Sequence, residues 1–382
     1  MRSACCCSLR YTKCHMKTAL NESIEQITVV KNPSKIWLQT LKWTGLFICL
    51  FCLITFLGLI SLIYLKINKF TNLTNTSVGE LKALAQASWQ RTPIQTDGRK
   101  NILILGTDAV ANRDGHAQLT DTMIFASIDL SAGKIYLLSL PRDLWSEEYK
   151  TKINALYVYG AERFPNSPEQ FPQLVIGKLL NQPIHHTLVI SMDELSQIID
   201  VLEGVKVEVA QSFTDPEFPR SDVDISSTDP NVLYKTVKFT AGKEVMNGER
   251  ALEYIRSRHA DGETGTDLSR SQRQQAVIQA MITKLMQKDT ILNIDKLASL
   301  FNLYHEQFAQ YLSLEELGAS GKQLYKVKNE ISLEPLSLSL YPDSETGVIE
   351  HPSPKLYNNQ WVYKTRDTEM LEKEVKEKLN SL

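Results

Sequence analysis

Residues 119–145 read LTDTMIFASIDLSAGKIYLLSLPRDLW, and this stretch decides the fold. It contains two apolar runs rich in β-branched and aromatic residues, 122–129 and 134–140, which are separated by the small residues 131–133. Two such runs joined by a short connection that contains glycine are typical of a β-hairpin. The sequence therefore predicts a pair of antiparallel strands here.

Charged residues stand at the ends of these two strands. Asp121 precedes the first strand, and Arg142 follows the second. Because the start of one hairpin strand lies beside the end of its partner, we expect Asp121 and Arg142 to be neighbours. Asp108 follows another apolar strand, 101–105, and joins them if that strand ends at the same edge. Together these groups could hold a divalent cation against a phosphate, although the turn chemistry of strand ends explains each residue taken singly.

Strand and helix patterns alternate farther along the chain. Residues 168–181 and 192–203 have apolar residues at helical spacing, whereas 187–191 and 205–210 are short β-rich runs. Strands interleaved with helices, together with a hairpin, predict an α/β domain with a mixed central β-sheet flanked by helices.

Arginine is concentrated between residues 247 and 275, although the whole chain has a formal net charge of −2. Helical spacing places Asp267, Arg270 and Gln274 on the same face as an apolar stripe that continues to Leu285. The first two turns of this helix therefore either emerge into solvent or line an inward polar pocket. A helix N-terminus also favours bound anions.

A second helix is predicted from Asn247 to about Ile255, followed by an extended segment. Arg256 and Arg258 are two residues apart, a spacing that points both side chains the same way only in an extended chain. Arginine stays charged at physiological pH and binds phosphate or carboxylate through paired hydrogen bonds. The sequence therefore predicts that both arginines enter one anion-binding cleft.

A long apolar segment lies near the N-terminus. From Trp43 to Leu65 the chain runs 23 residues without a charged side chain. Such a run is long enough to cross a bilayer as a helix and too long for a cleaved signal peptide. The preceding 42 residues carry seven Lys or Arg and two Glu. The positive-inside rule therefore predicts a single-pass cell-membrane protein with a cytoplasmic N-terminus and an extracytoplasmic domain.

All six cysteines lie at or before Cys52, so we expect no disulfide in the exported part.

These features divide the chain into five segments. Residues 1–42 are interpreted as a basic cytoplasmic arm, and residues 43–65 as the transmembrane helix. Residues 66–98 are rich in Asn, Thr and Gln and are interpreted as a stalk. The α/β domain is assigned to residues 99–340. Residues 341–382 are expected to form a C-terminal extension that packs on the domain.

Six motifs, in this order, closely resemble the LytR-CpsA-Psr family. They are LGTD (105–108), LTDTMIFASID (119–129), LLSLPRDLW (137–145), KINALYVYG (152–160), GKEVMNGERALEYIRSRH (242–259) and DLSRSQRQQ (267–275). The similarity covers residues 101 to about 340. The resemblance implies a bacterial, magnesium-assisted phosphotransferase. Such an enzyme moves a glycopolymer from a polyprenyl pyrophosphate carrier in the lipid bilayer onto a peptidoglycan hydroxyl.

The resemblance also implies roles for individual residues. It implies that Asp108 and Asp121 bind the metal, and either of them could take the proton from the attacking hydroxyl. The phosphate-binding residues that it implies are Arg142, Arg256, Arg258 and Arg270, with Lys152, Asp267 and Gln274 at further polar positions of the family pattern. Leu119 stands where many members have arginine, and Arg113 in the preceding loop is the candidate to replace that arginine.

Two kinds of function remain open at this point. The first is the transferase, and the second is a non-catalytic, membrane-tethered binder of polyprenyl phosphates or wall polymer in envelope regulation. The presence of both acids with the arginine set favours catalysis. Nucleic acid is not an expected partner, because the arginine-rich domain is predicted outside the cell and the short arm lacks a helix-turn-helix pattern. A polyprenyl tail needs apolar lining, for which 174–180, 195–202 and 277–285 are candidates.

Overall fold

A computed structural model of the chain describes residues 33–107, 119–220, 223, 229–260 and 262–380. The α-helices in these ranges are Pro33–Thr74, Val78–Gln90, Leu156–Arg163, Gln170–Leu180, Met192–Val201, Pro230–Leu233, Gly248–Arg256, Asp267–Leu285, Lys288–Ile291, Ile294–Leu303, Leu314–Lys326 and Thr368–Asn380. The strands are β1 (Arg99–Thr107), β2 (Thr120–Asp129), β3 (Lys134–Ser139), β4 (Trp145–Ser146), β5 (Thr151–Lys152), β6 (His186–Ser191), β7 (Val205–Val209), β8 (Phe213–Pro219), β9 (Tyr234–Phe239), β10 (Gly242–Met246), β11 (Ser332–Ser337), β12 (Leu340–Tyr341), β13 (Ile349–Glu350) and β14 (Lys364–Thr365).

The first helix contains the predicted membrane span. Its Thr40–Thr74 segment has 35 residues, and the most apolar window in it has a mean hydropathy of 2.9 and no buried residue. At about 1.5 Å per residue this segment is about 50 Å long, which exceeds the hydrocarbon core of about 30 Å. The helix is therefore long and apolar enough to cross a membrane. Residues 1–32 of the predicted basic arm lie outside the described residues.

A five-stranded mixed sheet forms the centre of the domain, with the strand order β11-β3-β2-β1-β6. β2 is antiparallel to both β1 and β3, whereas β11 is parallel to β3 and β6 is parallel to β1. The turn between β2 and β3 places Gly133 at a φ of 73°, a conformation that glycine adopts without a steric penalty. In the same turn, the Asp129 carboxylate accepts the backbone N–H groups of Ser131 and Ala132. The predicted hairpin and the predicted mixed sheet are both confirmed.

The two faces of the sheet carry different apolar layers, as the two-residue period of a strand requires. One face contributes Leu103 and Phe125 to a core that also contains Ile176 and, from the C-terminal helix, Val375. The opposite face carries Ile124, Ala126, Ile135 and Leu137, which pack with Ile278 of the Asp267–Leu285 helix. This helix therefore covers one face of the sheet, with its first turns near the strand ends that carry the predicted site.

A further apolar cluster, separate from the two faces of the central sheet, supports the arginine-bearing helices. It joins Ile199, Val207, Phe239, Tyr254 and Val277, which come from the paired strands β7–β10 and β8–β9 and from the helices beside them. The Gly248–Arg256 and Asp267–Leu285 helices both bury residues in this cluster. Their orientation is therefore fixed by packing.

The segment predicted as a stalk differs from that prediction. From Lys69 onward the chain belongs to one compact unit. The Val78–Gln90 helix packs against the Leu314–Lys326 helix, where a Cβ on Gly318 would collide with Ser88. Lys322 Nζ donates to the Trp89 carbonyl at 2.6 Å. The Val78–Gln90 helix is therefore packed on the domain and is not part of a free stalk.

The C-terminal extension is anchored to the domain at two places. The Thr368–Asn380 helix buries Leu371, Val375 and Leu379 in the core. Before this helix, Trp145 N donates to Tyr363 O at 2.7 Å, and Tyr363 N donates to Asp143 O at 2.9 Å. The second contact fixes the extension beside the segment that follows Arg142.

Candidate active site

Asp121 and Arg142 form an ion pair at one end of the sheet. Arg142 Nη1 donates to Asp121 Oδ1 at 2.6 Å, and about a fifth of each side chain is exposed. Asp121 is the second residue of β2, while Arg142 follows β3 by three residues. The proximity expected from the hairpin is therefore confirmed. The roles that the family resemblance implies for them, metal binding or proton transfer by Asp121 and phosphate binding in catalysis by Arg142, stay predictions.

Two more arginines surround the same carboxylate. Arg258 Nη2 donates to Asp121 Oδ2 at 3.0 Å, so each carboxylate oxygen has a guanidinium partner. Burial alone would raise the pKa of Asp121, but the charges of Arg142, Arg258 and Arg270 together hold this pKa below its usual value. Asp121 is therefore ionised at neutral pH and lies in a strongly positive environment.

A cavity of about 260 Å³ opens beside this carboxylate, and we call it the arginine cavity. It is lined by Asp121, Met192, Pro219, Ile255, Arg256, Arg258, His259, Arg270 and Gln274. Arg256 is the last residue of its helix, and the chain leaves the helix at Ser257 with a ψ of 128°. The prediction that Arg256 and Arg258 enter one cleft is confirmed, but the extended segment begins after Arg256, because that residue is still helical.

The first turns of the Asp267–Leu285 helix line an inward pocket rather than emerging into solvent. Arg270 and Gln274 are only 4% and 6% exposed, and both border the arginine cavity. Thr266 caps the helix by accepting the Ser269 N–H. The N-terminus of a helix carries a partial positive charge, which adds to the positive field at this cavity.

Three predicted site residues lie partly or wholly beyond this description. Asp108 and Arg113 fall outside the described residues, and the side chain of Asp267 is not described although its backbone begins the helix.

Lys152 reaches the site indirectly, since its Nζ donates to Asp143 Oδ1 at 2.6 Å. The neighbouring Asp143 Oδ2 lies 3.4 Å from Arg142 Nε. Lys152 therefore braces Arg142 through Asp143.

Sequence reasoning missed a buried acid that orients Arg258. Asp215 is fully buried, and its Oδ2 accepts the backbone N–H of Arg258 at 2.9 Å and that of His259 at 3.3 Å. The signal in the sequence is weak. Asp215 lies two residues after Phe213 in a strand, hence on the same inward face, where an acid is rarely buried without partners.

Arg273 is the second missed residue, and it fixes the backbone that carries the arginines. It is 6% exposed and donates to the carbonyl oxygens of Tyr254, Ser257 and Thr264. The guanidinium carbon also lies 4.9 Å from the centre of the Phe213 ring. The sequence revealed Arg273 only as part of an arginine-rich run, because its acceptors are backbone atoms brought close by folding.

An apolar cavity of about 50 Å³ continues from the arginine cavity beneath the helix. It is lined by Ile104, Gly106, Thr122, Ile190, Ser191, Met192, Leu195, Ile255, Gln274, Ile278 and Met281. Met192, Ile255 and Gln274 border both cavities. Two of the three helical runs proposed as apolar lining contribute here. The run 174–180 was wrong, because its buried residues pack in the core on the opposite face of the sheet.

A magnesium ion at this site would depend on Asp121. No group of three or more His, Cys, Asp or Glu side chains that could hold a metal occurs among the described residues. Magnesium, however, is commonly bound by one or two carboxylates, with substrate phosphates and water as its other ligands. The ionised Asp121 at the arginine cavity fits such a site, in which the substrate supplies most of the ligands.

Known proteins resemble this chain both in sequence and in fold. The model of the LytR_cpsA_psr family matches residues 64–376. A polyisoprenyl-teichoic acid–peptidoglycan teichoic acid transferase, TagU of Oceanobacillus iheyensis, is 33% identical over 187 residues, which are 48% of this chain and 51% of TagU. TagV of Bacillus subtilis, named for the same activity, is 29% identical over 205 residues, 52% of this chain and 46% of TagV. The chain thus aligns with about half the length of these relatives. The crystal structure of B. subtilis TagV has the same fold, with a TM-score of 0.51 at 21% identity over 75% of this chain and all of that one.

Proposed function

Since this chain belongs to the LytR-CpsA-Psr family, we propose that it is a membrane-anchored phosphotransferase that moves a glycopolymer from a polyprenyl pyrophosphate carrier onto a peptidoglycan hydroxyl. One observation carries the proposal. An ionised carboxylate, Asp121, is held between Arg142 and Arg258 at the mouth of a cavity that contains two further arginines and leads into an apolar cavity. A polyprenyl pyrophosphate is complementary to this arrangement, because its charged pyrophosphate is joined directly to an apolar chain.

The arginine cavity supplies the charge that a pyrophosphate requires. Arg256, Arg258 and Arg270 come from two different helices and the segment between them, so they approach from several directions. Guanidinium groups match phosphate oxygens through paired hydrogen bonds and remain charged at any physiological pH. Stabilising the negative charge of the transferred phosphoryl group is the main task of a phosphotransferase. The arginine set is suited to that task.

The apolar cavity is suited to the first isoprene units of the carrier. It begins at Gln274, where the pyrophosphate would lie, and follows Ile278 and Met281 along the helix. Its volume of about 50 Å³ is too small for a polyprenyl chain, so binding requires the cavity to widen. Leu195 and Ile104 are only partly buried, and we expect them to move aside.

The proposed reaction is a displacement at one phosphorus atom. The acceptor oxygen forms a bond to the phosphorus that carries the glycopolymer, and the bond from that phosphorus to the bridging oxygen breaks. Polyprenyl phosphate leaves with the electron pair, while the hydroxyl proton passes to a base. The candidates for this base are Asp108 and Asp121. Attack and departure are roughly in line in such reactions.

Magnesium is proposed as the cofactor. Asp121, with Asp108, would hold the ion, which would neutralise charge on the phosphate oxygens when bound. Arg142 and Arg258 keep Asp121 ionised, as a metal ligand must be. They also fix the direction of its carboxylate.

The apolar helix is proposed to anchor the enzyme beside its lipid-linked substrate, with the N-terminus in the cytoplasm. The basic residues before the span motivate this orientation. A protease added outside intact cells should then degrade the domain and spare the arm. Digestion of the arm with protection of the domain would reverse the orientation.

The experiment that tests the function uses the full chain reconstituted in lipid vesicles. It is supplied with a polyprenyl-pyrophosphate-linked glycopolymer, peptidoglycan and Mg²⁺, and covalent transfer is followed by mass spectrometry of digested peptidoglycan. We expect the polymer to appear on peptidoglycan and polyprenyl phosphate to be released. Tight lipid binding without transfer would instead support the non-catalytic binder.

A further inference from the structure

A second cavity meets the arginine cavity at Asp121. It has a volume of about 360 Å³, within the range of about 300–1,000 Å³ typical of small-molecule sites. Asp121, Arg270 and Gln274 line both cavities. The two oxygens of Asp121 divide between them, because Oδ2 pairs with Arg258 of the arginine cavity and Oδ1 with Arg142 of the second cavity. The Asp121 carboxylate is therefore the junction of the two spaces.

Three parts of the chain enclose this second cavity. Its walls come from the segment after β3, from the segment after β11 and from the first turns of the Asp267–Leu285 helix. Ile349 and Tyr363 of the C-terminal extension close one side. Tyr363 is held there by backbone hydrogen bonds to Asp143 and Trp145. The extension thus completes the cavity.

The lining chemistry differs from that of the arginine cavity. Away from the shared residues and Arg142, the described lining residues that carry a charge are the acids Asp143 and Asp343. Hydroxyl groups are frequent, and those of Ser139 and Ser271 lie 2.6 Å apart on the wall. Apolar surface comes from Met123, Leu140, Leu268, Leu338, Leu340 and Ile349. Asp143 is paired with Lys152 and Arg142, so Asp343 is the acid that would repel a phosphate at that end. A sugar ring, by contrast, presents both C–H surface and hydroxyl groups to such a wall.

We propose that this cavity is the acceptor subsite, which binds the peptidoglycan saccharide whose hydroxyl attacks the phosphorus. The inference rests on the proposed transfer reaction. In-line attack requires the acceptor to approach from the side opposite to the leaving polyprenyl phosphate. The arginine cavity and the apolar cavity behind it hold the leaving group, so the acceptor needs a separate entrance. The second cavity provides that entrance, and it reaches the same carboxylate.

Asp343 and Ser271 are the residues whose change tests the subsite. Asp343 is exposed and lies in the C-terminal extension, so Asp343→Asn removes a charged hydrogen-bond acceptor with little effect on folding. Ser271→Leu narrows the cavity from the helix side. Glu345→Gln is the matched control, because Glu345 is an exposed acid two residues away that is absent from the described lining.

The measurement is the initial rate of transfer by the full chain, with acceptor and donor concentrations varied separately. Asp343→Asn and Ser271→Leu should raise the KM for a soluble peptidoglycan glycan fragment about tenfold or more, the loss expected for one hydrogen bond to a charged group. The KM for the lipid-linked donor should stay within about twofold, and Glu345→Gln should behave as wild type. If Ser271→Leu fails to fold, Asp343→Asn still decides the outcome.

A rise in the donor KM alone would assign the cavity to the donor's sugar and overturn the proposal. Unchanged acceptor KM in the folded variants would also overturn it, while leaving the transferase function intact. Absence of transfer by the wild type would instead count against the proposed function. In that case, binding of the glycan fragment to the wild type, weakened by Asp343→Asn, would still support the subsite.

Discussion

The buried carboxylate of Asp215 accepts the backbone N–H of Arg258 at 2.9 Å. Asp215 is absent from the described lining of the arginine cavity. It nevertheless positions the backbone of Arg258, which does line that cavity. The same carboxylate oxygen also accepts the His259 N–H, and Oδ1 accepts the Glu217 N–H at 3.0 Å. The direction of Arg258 toward Asp121 thus depends on a residue from a different part of the chain.

Replacing Asp215 by Ala should impair both stability and catalysis. The change leaves partly buried backbone N–H groups of Arg258, His259 and Glu217 without their acceptor, and an unsatisfied buried group costs at most about 1–3 kcal/mol. Thermal unfolding should therefore occur at a lower temperature, and transfer per folded molecule should fall because Arg258 is no longer held in place. Asp215→Asn keeps one side-chain oxygen as an acceptor and should recover most of both losses. An Ala variant that unfolds early but has wild-type activity per folded molecule would show that Asp215 does not orient Arg258.

Replacing Arg256 or Arg258 by Ala should remove a charge-assisted contact to the pyrophosphate. The expected loss is about 2–4 kcal/mol of transition-state stabilisation, or about 30- to 1000-fold in kcat/KM. Stability should change little, since ion pairs of partly exposed arginines contribute about 0–1 kcal/mol. Arg250→Ala is the control. Arg250 lies on the same helix but pairs with Glu244 and Glu253 and is not among the described residues of the arginine cavity. If Arg250→Ala reduced the rate per folded molecule as strongly as the other two changes, the proposed contact of Arg256 and Arg258 with the pyrophosphate would be refuted.

Asp121→Asn should destabilise the protein at neutral pH but not in acid. The pKa of Asp121 is lowered in the folded state, so its stabilising contribution is full above the unfolded pKa of about 3.9 and is lost as the pH falls through the folded pKa. The Asn side chain cannot form the ion pairs with Arg142 and Arg258 that the Asp121 carboxylate makes at neutral pH. Unfolding of wild type and variant should be compared at pH 7 and near pH 2. A stability difference that grows on acidification would contradict this assignment.

The hairpin and the Asp121–Arg142 pair could be predicted from the sequence because both depend on local pattern. Two apolar, β-rich runs joined by a short connection with Gly133 predict the hairpin, and the strand ends then place the two charges together. Helical spacing placed Arg270 and Gln274 on the apolar face of their helix, but only the structure shows that this end of the helix lines an inward pocket and does not emerge into solvent.

Other features depend on contacts between distant parts of the chain. The polar segment before β1 was interpreted as a stalk because nothing in it reveals that Ser88 packs against Gly318. The amphipathic run 174–180 has a clear apolar face, but its sequence does not say which side of the sheet it covers. The role of Arg273 depends on hydrogen bonds to three backbone carbonyl groups. Every residue has such a group, so the sequence does not show which ones Arg273 will contact.

The most direct test of the central claim is the rate of glycopolymer transfer against Mg²⁺ concentration for the wild type and Asp121→Asn. Wild-type transfer should require Mg²⁺ and saturate with it, because Asp121 and the pyrophosphate together would complete the metal site. The Asn variant should retain the fold but lose metal-dependent transfer. Full wild-type activity in excess chelator, or the same Mg²⁺ response in the variant, would contradict the claim that the Asp121 and arginine site carries out the reaction.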